Sequence, residues 1–258
     1  MTAATRPAWL ALSGTVACAL ALAWLQRSPH GWSAWRQASC MPAHCFCERV
    51  RDAAVRQPVN AWSSLAFVAV GIWIAALPRR GADAGLRDVH RTVFAAAVIA
   101  VGLGSAFYHA TLSFAGQFSD AFGMYLLATF VVLNASAQPR NVRPAVVVLA
   151  YVAFNVILAV LLYTLPSLRR YLFAIVITAG ALLEVRLWRT HRGADGPRWL
   201  LLALGVLLLG FAAWIVDITH MACDPTGLIQ GHAVWHVASA GAAVLLFRHY
   251  ASRTLAAS

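Results

Sequence analysis

Lysine is absent from this chain: all 20 basic residues are arginine, set against only nine carboxylates. An all-arginine basic set points to a GC-rich bacterial gene. Charge of either sign is scarce, at 11% of 258 residues, while 61% are apolar. Soluble domains carry about 25% charged residues, so an ordinary soluble surface is excluded and an integral membrane protein is expected. The net charge of +11 invites a nucleic-acid reading. The arginines cluster between apolar runs, however, where they act as topology signals, and no nucleic-acid partner is expected. Low-complexity tracts and internal repeats are also lacking, which leaves one compact membrane domain.

What is present is a series of apolar runs. The first covers 9–25 and seven more lie near 59–77, 91–110, 117–137, 144–165, 171–188, 198–216 and 231–248. Each is close to the roughly 20 residues that a helix needs to cross a bilayer. The expected fold is therefore all-α, an integral membrane seven-helix bundle over 59–250. Residues 1–27 precede it as an extra N-terminal transmembrane helix or a signal peptide. Ala21-Leu22-Ala23 resembles a cleavage site, although a retained helix is the favoured reading. Residues 28–58 form an extracytoplasmic, cysteine-containing segment.

Arginine placement orients the bundle. On one side lie Arg6, Arg79, Arg80, Arg87, Arg91, Arg140, Arg143, Arg186, Arg189, Arg192, Arg198, Arg248 and Arg253; on the other lie Arg27, Arg36, Arg49, Arg51, Arg56, Arg169 and Arg170. The positive-inside rule assigns the richer side, with the C-terminus, to the cytoplasm. In a bacterial inner membrane the opposite end of the bundle faces the periplasm.

At that outer end the polar residues collect. His232 and His236 are four apart at the start of an apolar helix, hence on one face one turn apart. The spacing suits two imidazole ligands of one zinc. It differs from the HExxH of soluble metalloproteases because Ala233 stands where their glutamate base would be. Ser105 precedes His109 by four residues at the outer end of another helix. The short loop after that helix returns the chain antiparallel, which brings Asp120 to the same depth. Ionisable groups inside spans are costly and mark function. Three histidines would leave a zinc coordination position open, with Asp120 as base toward water and Ser105 as donor to a developing oxyanion. Singly, each has a plain structural reading: a back-bonded serine, a helix cap, an interfacial ring. Asp217 could support a ligating histidine or cap its loop. Glu184, with Arg186 close by, is expected to reach the cytoplasmic interface.

These residues also carry a family resemblance. Gly102-Leu103-Gly104-Ser105-Ala106-Phe107-Tyr108-His109-Ala110-Thr111-Leu112, followed by Gln117-Phe118-Ser119-Asp120, resembles the G-x-G-S-x-x-x-H-x-T-L…Q-x-x-D block of alkaline ceramidases. His232-Ala233-Val234-Trp235-His236 is similar to their H-A-x-W-H block. Cys47-Glu48 with Asn60-Ala61-Trp62-Ser63-Ser64-Leu65 is similar to their Cys-Glu and Asn-x-x-Ser-x-L stretch. The match runs from about Cys47 to Tyr250. It implies a seven-helix zinc amidase, of the superfamily that includes adiponectin-receptor-like proteins, which cleaves ceramide to sphingoid base and fatty acid. His109, His232 and His236 would hold Zn2+, Asp120 would activate water, and Ser105 would stabilise the oxyanion. The partner is a membrane lipid substrate, and the oligomeric state is not readable.

The resemblance has departures. Glu48 remains as a remnant of the family's Ca2+ site, but Arg49, Val50 and Gln57 stand where oxygen-rich ligands are found, and Cys45 replaces an acidic residue. This argues against calcium. Cys47 and Cys223 match a cysteine pair of the family, leaving Cys40 and Cys45 as a second bridge on a side where disulfides persist. A C-x4-C-x-C metal site is the competing reading. Two further functions stay open: a hydrolase of another acyl lipid, and a receptor-like or regulatory protein with structural zinc.

Overall fold

In lipid no water satisfies a free N–H or C=O, so an apolar run closes its hydrogen bonds within itself as a helix. The computed structural model describes residues 5–27, 31–41, 45–78, 88–137, 142–190 and 198–252. These form α1 (Arg6–Gln26), α2 (Pro58–Ser63), α3 (Leu65–Ala76), α4 (Asp88–Thr111), α5 (Phe114–Ala137), α6 (Pro144–Thr164), α7 (Arg169–Thr190), α8 (Arg198–Ile218) and α9 (Gly231–Ser252). Among the described residues the extended structure is one isolated bridge, Gln37 to Ser113. Counting α2 and α3 together, seven segments from α1 to α8 are long and apolar enough to cross a membrane. At 22 residues α9 has the length too, but His232, His236, Arg248 and His249 dilute its hydropathy. The protein is an all-helical integral membrane bundle. Arg79, Arg80, Arg87, Arg140, Arg192 and Arg253, used above for orientation, lie outside the described residues.

Two features depart from the simplest reading of the runs. The 59–77 run is broken at Ser64: the Ser63 and Ser64 hydroxyls both donate to the Asn60 carbonyl, at 2.9 and 2.8 Å. Serine back-bonding of this kind bends helices, and here it turns two hydroxyls inward. Glu184 does not reach the interface. It is 1% exposed and its Oε2 faces His249 Nε2 at 3.5 Å, across α7 and α9.

Small residues set the closest helix approaches. At Gly104 a Cβ would fall 2.5 Å from the Ser119 carbonyl oxygen, and at Gly231 equally close to that of Ala213. Glycine thus lets α5 lie on α4 and the start of α9 lie on α8, which is how lipid-embedded helices gain packing. Leu112, at φ 46°, ends α4. Left-handed backbone is costly for a non-glycine residue; here Leu112 is fully buried, and Ala38 N–H bonds its carbonyl at 2.9 Å. Toward the other end of the bundle Phe94, Phe130, Phe247 and Tyr250 fill the core. In contrast α7 and α8, consecutive in the chain, hardly approach one another: α7 packs on α5 and α8 on α9.

Candidate metal centre

His109 sits in the last turn of α4, and His232 and His236 in the first two turns of α9. All three are buried, and one nitrogen from each lies within 4.8 Å of the others. The Nε2 atoms of His109 and His232 are 3.1 Å apart. The side chains are separated by 123 residues in sequence, and they meet because Gly231 allows α9 to start against α8. Phe46, from the N-terminal segment, covers them with its ring centroid 4.0 Å from that of His232 and 5.0 Å from that of His109.

Hydrogen bonds fix two of the three tautomers. His109 Nδ1 is 2.9 Å from Gln57 Oε1, which can only accept, so Nδ1 carries the proton and Nε2 presents its lone pair. Gln57 is held in turn, because its Nε2 donates to the Glu48 carbonyl at 2.9 Å. His236 Nδ1 is 2.8 Å from Ser63 Oγ, whose own proton goes to Asn60, so the serine accepts from the imidazole. His236 Nε2 therefore also presents a lone pair, toward Ser105 Oγ at 3.1 Å. Outer hydrogen bonds of this kind orient metal-binding imidazoles, and losing one costs about 10–100-fold in affinity. Gln57→Leu is accordingly expected to weaken metal binding by about that factor, read by competition with a chromophoric chelator. Unchanged affinity would remove Gln57 from the site.

Ser105 lies one turn before His109 and is buried. The close approach at Gly104, where a Cβ would fall 3.0 Å from the Asp120 nitrogen, brings Asp120 in from α5 on the neighbouring turn. The structure thus gathers His109, His232, His236, Ser105 and Asp120 at one end of the bundle. It does not bring Asp217 or Glu48 to the histidine rings. Asp217 instead accepts two backbone N–H groups, of His232 with Oδ2 and of Cys47 with Oδ1, both at 3.0 Å. It fastens the first turn of α9 to the N-terminal segment. Cys47–Cys223 repeats that tie covalently, and Cys40–Cys45 closes a local loop.

The Glu48 neighbourhood does not fit calcium. Its two carboxylate oxygens are already engaged, accepting from Val59 N–H at 2.8 Å and Asn60 N–H at 2.9 Å, so it caps α2. Burial pushes its carboxyl above the ordinary range, against the pull of those two bonds. Calcium takes six to eight oxygens, and among the described residues the three histidines are the group suited to a metal. Three buried imidazole nitrogens, two held with lone pairs inward, could hold a metal ion and suit one that prefers nitrogen donors.

Sequence reasoning overlooked the supporting roles of Gln57, Ser63, Ser64 and Phe46. Gln57 had registered only as a missing oxygen ligand. A signal existed for the serines, a hydroxyl pair three and four residues beyond Asn60 in a membrane run. Phe46 left none, since apolar packing across a loop has no period.

Comparison with curated proteins yields no significant match. A family model described as Ceramidase matches residues 44–255. That stretch begins just before Phe46 and takes in every polar side chain around the three histidines. The chain belongs to the ceramidase family, whose members are hydrolases of amide bonds.

Proposed function

We propose that the protein hydrolyses the amide of a ceramide-class lipid, with zinc held by His109, His232 and His236. One observation carries this reading: the buried convergence of three imidazoles has Ser105 against His236, with Asp120 packed at Gly104 next to that serine. A closed structural site needs neither group, which favours an enzyme over a receptor-like protein with structural zinc.

The reaction adds water across the acyl–nitrogen bond: R–CO–NH–R′ and H2O give R–COO− and R′–NH3+. When bound, zinc supplies Lewis acidity and brings the pKa of a water toward about 7. Asp120 takes a proton from the attacking water and returns it to the nitrogen as the C–N bond breaks. Ser105 Oγ–H donates to the carbonyl oxygen as negative charge develops there. Gln57 and Ser63 hold the His109 and His236 rings in place. Phe46 and the surrounding helices keep bulk water out.

A two-chain lipid enters from the bilayer rather than from water. The separation of α7 from α8 supports a lateral route at that point. The arginine distribution supports an extracytoplasmic site, at the periplasmic face of a bacterial inner membrane. The test is to purify the full-length chain, measure bound metal, and follow fatty-acid release from a labelled short-chain ceramide. One zinc per chain with fatty-acid release is expected; a zinc-loaded preparation inert toward ceramide would count against the reading.

A further inference from the structure

Arg169 and Arg170 open α7. On the outer side the other arginines belong to residues 27–56, ahead of the bundle, whereas this pair lies between two spans, at the mouth of the gap between α7 and α8. Both are anchored there. Tyr125 Oη donates to the Arg169 carbonyl at 2.8 Å, and Arg169 Nη1 donates to the Pro166 carbonyl at 3.0 Å. The Arg170 guanidinium reaches across the gap to Trp214 of α8, with Cζ 5.6 Å from the ring centroid.

Both anchors lead back to the histidines. Tyr125 stands five residues after Asp120 on α5, and Trp214 stands one turn before Asp217, which holds the His232 N–H. Arg169 is close enough to Asp120 and Tyr108 to interact electrostatically, and Arg170 to His232. Among the described residues neither guanidinium has a carboxylate at ion-pair distance.

Asp120 offsets part of the Arg169 charge, but two guanidiniums and a divalent metal against that one carboxylate leave the path of the lipid net positive. An uncharged ceramide head would leave that charge unanswered. A phosphate or carboxylate matches the guanidinium fork in shape and sign. We infer, resting on the amidase reading above, that the preferred substrates are N-acyl lipids whose head carries an anionic group near the scissile amide, and that Arg169 and Arg170 bind that group.

The test compares kcat/KM in neutral detergent micelles for a ceramide and for the same ceramide phosphorylated on its primary hydroxyl. The wild type is expected to favour the phosphorylated lipid at least tenfold. Arg169→Gln combined with Arg170→Gln should bring the ratio to within about twofold of unity; as a ratio, it is indifferent to partial loss of folded enzyme. A wild-type ratio at or below one, or one the double variant leaves unchanged, overturns the inference while the amidase reading stands. Doping the micelles with phosphatidylglycerol separates substrate from bulk lipid. If doping raises turnover of neutral ceramide in the wild type alone while the ratio stays at one, the arginines serve the bilayer and the inference fails. Hydrolysis of neither lipid by the zinc-loaded wild type would overturn the amidase reading and this inference with it.

Discussion

Asp120→Asn is expected to leave one zinc bound per chain and to lower kcat by about 10^2–10^4-fold, the range that a positioned general base contributes. The substitution keeps the size and shape of the side chain. It removes only the capacity to accept a proton. Asp120 is not a metal donor in the proposed arrangement, so metal content should not change. Stability should move the other way from activity. Enclosing a carboxylate in a helix bundle is costly even with Arg169 near enough to act on it, and a neutral amide of the same shape relieves that cost, so the melting temperature should hold or rise. Gain of stability with loss of turnover marks a group retained for chemistry. The measurements are zinc per chain, the thermal midpoint, and kcat toward ceramide. Undiminished kcat would break the assignment, whereas lost zinc would make Asp120 a structural support of the triad.

The parts of this site that were legible in the sequence are those with a local period. His232 and His236 declare themselves by a four-residue spacing on one helix, and Ser105 and His109 do the same. Asp120 could be brought alongside because a loop as short as 111–116 returns the chain antiparallel. The bundle was legible for a related reason: a lipid solvent makes each span nearly independent of its neighbours, so hydropathy alone marks it.

Contacts between distant segments left no period to read. Gln57 bonds His109 across 52 residues, and Ser63 bonds His236 across 173. Each depends on how the N-terminal segment folds over the bundle. The break at Ser64 was hidden because a back-bonded serine and a continuous helix have the same hydropathy. Asp217 was ambiguous because a carboxylate near an imidazole can take a ring N–H or a backbone N–H, and only the geometry selects the backbone of His232. Glu184 was misread because its partner, His249, stands 65 positions away on α9. Without that partner in view, the nearby Arg186 suggested an interfacial side chain.

His109→Ala should abolish both zinc binding and turnover, and the argument turns on separating metal loss from simple misfolding. His109 is fully buried. Its removal strands Gln57 Oε1, at about 1–3 kcal/mol for an unsatisfied buried group, and opens a void beneath Phe46. Some loss of stability is therefore expected apart from any metal. Chelation distinguishes the two effects. A metal that binds only the folded state adds RT ln(1 + [L]/Kd), about 4 kcal/mol at a thousandfold excess over Kd. EDTA should thus lower the thermal midpoint of the wild type by several degrees and leave that of the variant unmoved. His236→Ala, which leaves the Gln57 bond intact, should show the same indifference to EDTA with a smaller intrinsic loss. Added imidazole, filling the space left at position 109, should restore part of the zinc and part of the turnover together. A His109→Ala protein that still carries stoichiometric zinc and still responds to EDTA would show that α4 contributes no ligand. The two histidines of α9 would then have to find their third donor elsewhere in the bundle.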